Sequence, residues 1–315
     1  MPSLLRIGSR PSRLALAQAR IIKDAIERIA PGLACEIVAI KTTGDKLTTP
    51  SLAAVGGKGL FVRELEQALA AGQIDIAVHS MKDMPASLAP SFRLLAVPAR
   101  EDTADVLLTG GPDLAHLPRS ARLGTSALRR RFEAARLRPD LDFQPLRGNI
   151  DTRLARLRAG EFDAIILAAA GLKRLGQSDL PPMYRLAEDE FVPAGGQGAL
   201  AIEGMADRLP GDSAEIERAV AAMDDPRARI EVSAERAFLD EIGASCASPI
   251  GVRATAEDGR LALRALLFSL DGSRSMTDSL SIAQSSGIAD AERAGIELAR
   301  RMLDRGAAEL IGDTK

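Results

Sequence analysis

The sequence predicts an α/β fold over its first two thirds and a smaller α+β segment after it. In the first part, short apolar runs typical of buried strands alternate with segments of helical spacing, as in a series of βαβ units. From about Arg227 the pattern changes to one helix, then strands separated by the turn pairs Asp258-Gly259 and Asp271-Gly272, and a last helix near Ala289–Arg305.

Apolar spacing gives the elements of the first segment. Leu14, Ile22 and Ile26 recur at the spacing of an amphipathic helix, which Ser12 is positioned to cap and which ends before Pro31-Gly32. The other expected elements are a strand at Leu4–Ile7, a strand at Glu36–Ile40, a helix at Phe61–Ala70 and a buried strand at Ile74–Val78 that ends at His79.

The same alternation restarts after a charged crossover at Pro98–Asp105, which predicts a second α/β domain. Its strands are expected at Val106–Leu108, Asp142–Gln144 and Ala164–Leu167. Pro193–Gly198 is expected to be a second flexible segment, and with the first crossover it would form a hinge pair in which Gln197 is the hinge residue. We therefore expect domain 1 at residues 1–97 with 199–216, domain 2 at 102–192 and domain 3 at 222–315.

Composition excludes several classes of protein. The 46% apolar and 27% charged residues are typical of a globular chain, and no apolar run reaches the roughly 18 residues of a membrane span. Charges within Met1–Arg10 argue against a signal peptide, so we expect a cytoplasmic protein with no membrane partner. A net charge of −2 argues against nucleic acid. Two cysteines, Cys35 and Cys246, are too few for a disulfide framework or a zinc site.

Arginine accounts for 34 of the 41 basic residues. Genome composition explains the overall ratio, so only particular positions are informative. Arg129 and Arg130 begin one predicted helix, and Arg147 and Arg153 flank the candidate helix cap Asn149. Free N–H groups at such helix starts bind anions, whereas a single pair would also be explained by solvated charge. Because adjacent helical residues point about 100° apart, we do not expect Arg129 and Arg130 to bind one carboxylate.

Lys82 and Asp83 directly follow the predicted strand at Ile74–Val78, at the sheet edge where α/β folds bind ligands. A carboxylate at this position can stabilise a developing cation and pass a proton to a leaving amine. The alternative is that Asp83 caps a turn before Pro85 and that Lys82 is solvated. His79 is interpreted as a structural hydrogen-bonding residue rather than a base.

Lys58 and Cys246 lie in two small-residue loops. The glycine-rich stretch 56–59 around Lys58 lacks the P-loop pattern, so we predict no nucleotide site there; it is either a flap over a bound anion or a simple loop. Cys246 lies in the loop Gly243–Gly251, which leaves its sulfur approachable. Isolated cysteines usually pack, which is the interpretation for Cys35, and covalent attachment is the alternative for Cys246.

Together these segments resemble the porphobilinogen deaminase family, also called the hydroxymethylbilane synthases. The resemblance follows the family's order over nearly the whole chain. The matching stretches are Arg10–Ala15, Lys41–Asp45, Val55–Phe61, His79–Pro85, Gly124–Arg130, Leu146–Arg153, Ala164–Gly176, Pro193–Ala199, Glu235–Ala237 and Cys246–Gly251.

The resemblance implies two periplasmic-binding-protein-like α/β domains around a cleft plus a small α+β C-terminal domain. It implies a monomer whose Cys246 carries a dipyrromethane cofactor through a thioether and whose Asp83 is catalytic. The implied reaction deaminates four porphobilinogen molecules, condenses them head to tail on the cofactor and releases linear hydroxymethylbilane by hydrolysis. Lys58 matches a flexible-loop lysine of the family. The residues implied to hold the carboxylates of cofactor and substrate are Arg10, Gln18, Lys82, Thr125, Ser126, Arg129, Arg130, Arg147, Gly148, Arg153 and Arg174.

Three sites depart from the family pattern. Ala127 stands where many members have serine, Ala54 where some have lysine, and Ala244-Ser245 replaces a glycine pair before Cys246. The last change matters because glycine allows backbone dihedrals that alanine and serine resist. The alternative function is a non-catalytic two-lobed anion-binding or ligand-sensing protein, which would need neither Cys246 nor Asp83.

Overall fold

A computed structural model of the chain describes residues 4–46, 61–177, 179–245, 248–283 and 287–312. The chain divides into two compact units, which we call unit 1 (Met1–Glu101 and Ala199–Val232) and unit 2 (Asp102–Gly198 and Ser233–Lys315). The predicted α/β class is confirmed, with two five-stranded mixed sheets and a smaller three-stranded sheet. Within the described ranges, no helix combines the length and the apolar character needed to cross a membrane.

Unit 1 is built on one of the five-stranded sheets. Its elements are β1 (Leu4–Ser9), α1 (Arg13–Ile29), β2 (Ala34–Ala39), α2 (Thr43–Lys46), α3 (Arg63–Ala70), β3 (Ile76–Ser80), β4 (Phe92–Ala96), β10 (Leu200–Met205), α7 (Ala214–Ala221) and the first part of α8 (Pro226–Glu241). The strand order is β2-β1-β3-β10-β4, with β1 parallel to β2 and β3, and β10 antiparallel to β3 and β4.

Helix α1 shows how the sequence sets this unit. The Ser12 hydroxyl accepts the N–H of Ala15 at 3.3 Å and caps the helix as predicted. Ile22 and Ile26 are fully buried in one core cluster with Ile7 of β1. Burying an isoleucine side chain contributes about 1.5–3 kcal/mol, so this apolar face holds α1 against the sheet.

Unit 2 contains the second five-stranded sheet and the three-stranded sheet. Its elements are β5 (Asp105–Thr109), β6 (Arg122–Gly124), α4 (Leu128–Leu137), β7 (Asp142–Gln144), α5 (Ile150–Arg158), β8 (Ala164–Ala168), α6 (Ala169–Arg174), β9 (Met183–Arg185), the rest of α8, β11 (Ile250–Glu257), β12 (Arg260–Phe268), β13 (Ser275–Ala283), α9 (Ile288–Leu303) and α10 (Ala307–Ile311). The strand orders are β7-β6-β8-β5-β9 and β11-β12-β13.

Two aromatic rings connect the three-stranded sheet of unit 2 to α4. The rings of Phe132 and Phe268 have their centres 5.7 Å apart and form a core cluster with Val192 and Leu266. Gly272, in the turn between β12 and β13, approaches Phe132 so closely that a Cβ there would overlap the ring. The predicted hairpin turns at Asp258-Gly259 and Asp271-Gly272 are confirmed.

The two five-stranded sheets share one topology and one arginine clamp. In each, three parallel strands are followed by one strand in the opposite direction, and an edge strand pairs antiparallel with that strand. Arg6 of β1 binds both carboxylate oxygens of Asp75, through Nε at 3.1 Å and Nη2 at 2.6 Å, and donates to the Gly72 carbonyl at 2.6 Å. The residues that make the same contacts in unit 2 are Arg122, Asp163 and Gly160.

The structure differs from the sequence prediction at three strands and at several strand ends. The expected end of β3 at His79 is wrong, because β3 continues to Ser80, which pairs with Leu200 of β10. The sequence pattern did not predict β4, β9 or β10. All three lie at an antiparallel position in their sheets, which a reading based on alternating βαβ units does not anticipate.

Gly295→Ala tests the packing of α9 against α8. A Cβ at Gly295 would overlap the carbonyl oxygen of Ala234 and lie 2.9 Å from the backbone nitrogen of Phe238. We expect the free energy of unfolding in urea to fall by about 1–3 kcal/mol, as for overpacked cores. The control is Gly32→Ala, whose Cβ would have no neighbour within 4 Å among the described atoms. Equal stability of the two variants would contradict the prediction.

Candidate active site

A pocket lies at the carboxyl ends of β1 and β3 in unit 1. Because these neighbouring strands are parallel, their ends meet at one edge of the sheet, the position where open α/β sheets bind ligands. Arg10 directly follows β1, and Asp83 ends the 3₁₀ turn Met81–Asp83 that follows β3. The pocket is lined by Arg10, Ser12, Leu14, Ala15, Gln18, Phe61, Val62, Val78, His79, Ser80 and Asp83.

The guanidinium of Arg10 is held by two neighbours. Its Nη2 donates to Asp45 Oδ1 at 2.5 Å, and its Cζ lies 3.9 Å from the centre of the Phe61 ring. Burial by itself would raise the pKa of Asp45, but hydrogen bonds from Arg10 and Thr42 outweigh burial and leave the pKa below its usual value. Asp45 is therefore ionised at neutral pH and fixes the direction of Arg10.

Gln18 and the turn after β3 form another part of the pocket wall. Gln18 is buried, and its Nε2 donates to the Ser80 hydroxyl at 2.8 Å. The backbone N–H of Met81 donates to the Ala199 carbonyl at 3.0 Å, and that of Met84 donates to the Met81 carbonyl at 3.1 Å. Backbone bonds thus hold the turn that carries Lys82 and Asp83, and the Asp83 side chain is exposed at the pocket wall.

A buried carboxylate in unit 2, Asp105, binds two of the predicted arginines. Arg129 Nη2 lies 2.7 Å from Asp105 Oδ2, and Arg130 Nη2 lies 2.7 Å from Asp105 Oδ1. The expectation that Arg129 and Arg130 would not bind one carboxylate is wrong, because each takes a different oxygen. Burial would raise the pKa of Asp105, but the charges of Arg129 and Arg130 outweigh burial and hold it well below its usual value.

Gln197 and Glu133 complete this buried cluster. Gln197 Nε2 donates to Asp105 Oδ1 at 2.9 Å and to the Thr103 carbonyl at 2.7 Å. Glu133 Oε2 accepts from Arg129 Nη1 at 2.8 Å, while its buried Oε1 has no hydrogen-bond partner in the part of the chain described. Burial raises the pKa of Glu133 to about 8 against the attraction of Arg129, so Glu133 is mainly protonated at neutral pH.

Arg153 adds positive charge beside this cluster. Its Nε donates to the Gly148 carbonyl at 2.8 Å. Burial, and next the charge of Arg130, lower the pKa of Arg153 to about 10, so the two guanidinium groups repel each other. A bound carboxylate would relieve this repulsion, because an anion between two cations favours their charged forms. The paired positive charges of Arg130 and Arg153 therefore fit an anionic ligand.

Thr125 and Ser126 lie at the strand-to-helix turn before α4. The Ser126 hydroxyl donates to the Leu146 carbonyl at 2.9 Å, and the Thr125 hydroxyl accepts the N–H of Ala127 at 3.2 Å. Thr125 thereby satisfies one of the free N–H groups at the start of α4, where Ala127 has no hydroxyl of its own.

The turn before α5 brings Arg147, Gly148 and Asn149 together. Asn149 caps the helix as predicted, since its Oδ1 accepts the N–H of Thr152 at 2.8 Å. Gly148 has a φ of +106°, a conformation that favours glycine. Arg147 in this turn is exposed.

Arg174, at the end of α6, is oriented by a backbone contact. Its Nη2 donates to the Gly198 carbonyl at 2.6 Å.

Cys246, Lys58 and Ala54 lie outside the described residues. Next to Cys246, the Ser248 hydroxyl accepts the N–H of Ser245 at 3.0 Å, and the Ser245 carbonyl accepts the N–H of Ser248 at 3.0 Å. Neither Ala244 nor Ser245 has a positive φ. The replaced glycine pair therefore causes no backbone strain at these two positions.

The acidic partners of the predicted cations do not follow from the sequence motifs. Asp45, Asp105 and Glu133 each bind an arginine that the sequence singled out. Asp105 has a detectable signal, because it is a charged residue at the start of the apolar strand β5. The expected crossover at Pro98–Asp105 therefore ends one residue too late. A buried charge at such a position requires a partner of opposite charge.

Comparisons with known proteins agree over nearly the whole chain. The family described as "Porphobilinogen deaminase, dipyromethane cofactor binding domain" matches residues 5–210, and "Porphobilinogen deaminase, C-terminal domain" matches residues 229–304. The porphobilinogen deaminase of Sulfurimonas denitrificans is 43% identical over 98% of this chain and 96% of its own length. That of Moorella thermoacetica is 45% identical over 99% and 96%, respectively.

Among solved structures, the probable amino-acid ABC transporter extracellular-binding protein of Bacillus subtilis matches with a TM-score of 0.44 and 11% identity, over 70% of this chain and 92% of that chain.

Glu133→Gln tests the raised pKa of the buried carboxyl. The pKa of Glu133 is about 8 in the folded chain against 4.5 for an unperturbed glutamate, so wild-type stability is favoured below about pH 4.5 and is lost as the pH rises through about 8. We expect the free energy of unfolding of wild type, relative to Glu133→Gln, to fall across this range in urea titrations. Exposed Glu292→Gln, measured in the same way, should show no such trend. A pH-independent difference between wild type and Glu133→Gln would contradict the prediction.

Proposed function

This chain belongs to the porphobilinogen deaminase family, and we propose that it condenses four porphobilinogen molecules head to tail, with loss of ammonia, and releases linear hydroxymethylbilane by hydrolysis. It is an enzyme of tetrapyrrole synthesis, a transferase, and its cofactor is dipyrromethane. The observation that carries the stepwise proposal is the unit 1 pocket, where the exposed carboxylate of Asp83 shares a wall with Arg10 and Gln18. We also propose that the protein is a cytoplasmic monomer of three domains.

The arginines around Asp105 in unit 2 fit this cofactor. Each ring of a dipyrromethane carries an acetate and a propionate, so it needs several separate cation sites. Arg130 and Arg153 repel each other in the absence of an anion, which is the situation that a carboxylate would relieve. We propose that Cys246 holds the cofactor through a thioether. When bound, the cofactor supplies the free pyrrole carbon to which the first substrate is joined.

We propose that the remaining polar residues of both units hold carboxylates of cofactor, substrate and growing chain. Asp45 and Asp105 keep their arginines in fixed directions, so little side-chain entropy is lost when a ligand carboxylate binds. Lys58 would act from its loop, and Gln197 as a hinge residue. The proposed carboxylate-binding residues are Arg10, Gln18, Lys82, Thr125, Ser126, Arg129, Arg130, Arg147, Gly148, Arg153 and Arg174.

Asp83 is proposed to stabilise the cation that forms when porphobilinogen loses ammonia. Two unit charges about 4 Å apart interact by roughly 4 kcal/mol at an effective dielectric constant near 20. Because backbone hydrogen bonds at Met81 and Met84 hold the turn, the carboxylate needs little reorganisation as the cation develops. The same carboxylate can pass a proton to the departing amine.

Asp83→Asn tests the proposed reaction. The amide keeps the size of the side chain and removes its charge, so we expect kcat for tetrapyrrole formation to fall by about 10²–10³-fold, with the melting temperature unchanged. Product is identified by mass spectrometry after incubation with porphobilinogen. Asp207→Asn, an exposed aspartate of unit 1, is the control and should retain full activity. Normal turnover in Asp83→Asn would remove the proposed role, and a wild-type chain that binds porphobilinogen without turnover would favour the anion-binding alternative.

Arg147→Leu tests carboxylate binding at the start of α5. Losing one charge-assisted contact costs about 1.5–3 kcal/mol, so we expect kcat/KM for porphobilinogen to fall by at least about tenfold or cofactor loading, measured by intact mass, to be incomplete. Arg119→Leu is the control, because the Arg119 side chain is 91% exposed. If loading and kinetics match wild type, Arg147 does not belong to the carboxylate-binding residues.

A further inference from the structure

A buried imidazole–carboxylate pair lies behind the wall of the unit 1 pocket. His79 on β3 is opposite Ala201 on β10, and Glu203 lies two residues further along β10 on the same face of the sheet. His79 Nε2 is 2.9 Å from Glu203 Oε2, and the two side chains are 4% and 0% exposed. This distance and burial make it one of the least solvated ionisable contacts of unit 1.

A second acidic residue, Glu66, lies near the carboxylate of this pair. Glu203 Oε1 is buried and has no hydrogen-bond partner among the described residues. Burial raises the pKa of Glu66 on α3, and the charge of Glu203 raises it further, while His79 opposes the shift. Among the described residues, His79 is the hydrogen-bonding partner of Glu203. A buried carboxylate depends strongly on such a partner, because it has lost the hydrogen bonds of water.

His79 connects the buried carboxylate to the pocket. The residue is 6% exposed and lines the pocket with Arg10 and Asp83. Its Nε2 is taken by Glu203, and within the described ranges no hydrogen bond to its Nδ1 is present. A carboxylate on one ring nitrogen fixes the tautomer and stabilises the imidazolium, which leaves the other nitrogen to exchange a proton.

On the basis of the proposed function, we propose that His79 is a second proton-transfer group of this pocket and that Glu203 is its positioning residue. In each condensation the C–N bond of the substrate breaks and its electron pair leaves with ammonia. A C–C bond then forms from a pyrrole α-carbon, whose C–H bond breaks and returns its electrons to the ring. His79 accepts that proton and later releases it. The released proton and the departed ammonia together give ammonium. Asp83 remains the group that stabilises the cation.

The chain offers a matched control, because it has only two histidines. His116 also pairs with a carboxylate, Nδ1 to Asp113 Oδ1 at 2.6 Å, but its side chain is 76% exposed and lies in unit 2. His116→Gln therefore removes an imidazole–carboxylate pair that the proposal does not use. It also assigns the two histidine signals in nuclear magnetic resonance spectra of the purified enzyme.

The experiment compares kcat–pH profiles and melting temperatures of wild type, His79→Gln, Glu203→Gln and His116→Gln. We expect kcat of His79→Gln to fall by about 10²-fold with KM within about twofold, as for a lost general base. In Glu203→Gln the amide oxygen still accepts Nε2–H, so we expect a smaller loss, on the order of tenfold, and an acid limb moved to lower pH. His116→Gln should match wild type.

A ¹⁵N spectrum of wild type, which needs no turnover, should show His79 protonated at Nε2. A purely structural role predicts lower melting temperatures with an unchanged kcat and profile, and that result would overturn the proposal. A ¹⁵N spectrum that shows the proton of His79 on Nδ1 would also overturn the proposal, and this measurement remains possible if His79→Gln does not fold. If wild type itself makes no tetrapyrrole, the proposed function fails as well; if wild type is active and His79→Gln equals it, only this inference fails.

Discussion

The pairing of Asp105 with Arg129 and Arg130 is the interaction on which the rest of unit 2 depends. It places one fully buried negative charge between two buried cations, and Gln197 adds a hydrogen bond from the segment that leads out of the unit. Removing one partner from such a buried pair typically costs about 3–5 kcal/mol, because the other charge stays uncompensated. Asp105 compensates the charges of Arg129 and Arg130. Arg153 lies near Arg130 and has no ion pair among the described residues, so its positive charge is the one that remains for a ligand.

Unit 1 uses acidic partners in the same way at its pocket. Asp45 directs Arg10, and Glu203 binds His79. Each of these two pocket residues therefore depends on a carboxylate that is distant in the sequence, and Glu203 lies on the unpredicted strand β10. The shared topology of the two five-stranded sheets gives β1 and β6 the same position, and both strands are followed by polar residues at that sheet edge. It does not extend to Asp83, because β8 is followed by the apolar start of α6. The proposed catalytic carboxylate is therefore a feature of unit 1 alone.

Local sequence signals were enough for the elements that local forces decide. The caps Ser12 and Asn149 and the apolar stripe of α1 follow from spacing and hydrogen-bonding chemistry within a few residues. Strand β10 could not be predicted in this way, because its partners β3 and β4 lie more than one hundred positions earlier in the chain. The shared carboxylate of Arg129 and Arg130 could not be predicted for a similar reason. Helix geometry fixes the Cβ directions, but the long side chains reach the two oxygens of one carboxylate that lies more than twenty positions earlier in the chain. The repeated clamp did leave a sequence signal, an Ala-Gly pair followed by aspartate at 71–75 and again at 159–163.

The proposed attachment of the dipyrromethane to Cys246 is tested most directly by the intact mass of the purified protein. We predict that wild type exceeds the mass of its sequence by one dipyrromethane, and that Cys246→Ser, with the same melting temperature, has the unmodified mass and forms no tetrapyrrole. Cys35→Ser, which changes the other cysteine, should keep the added mass. A fully active wild-type chain with an unmodified mass would contradict the account.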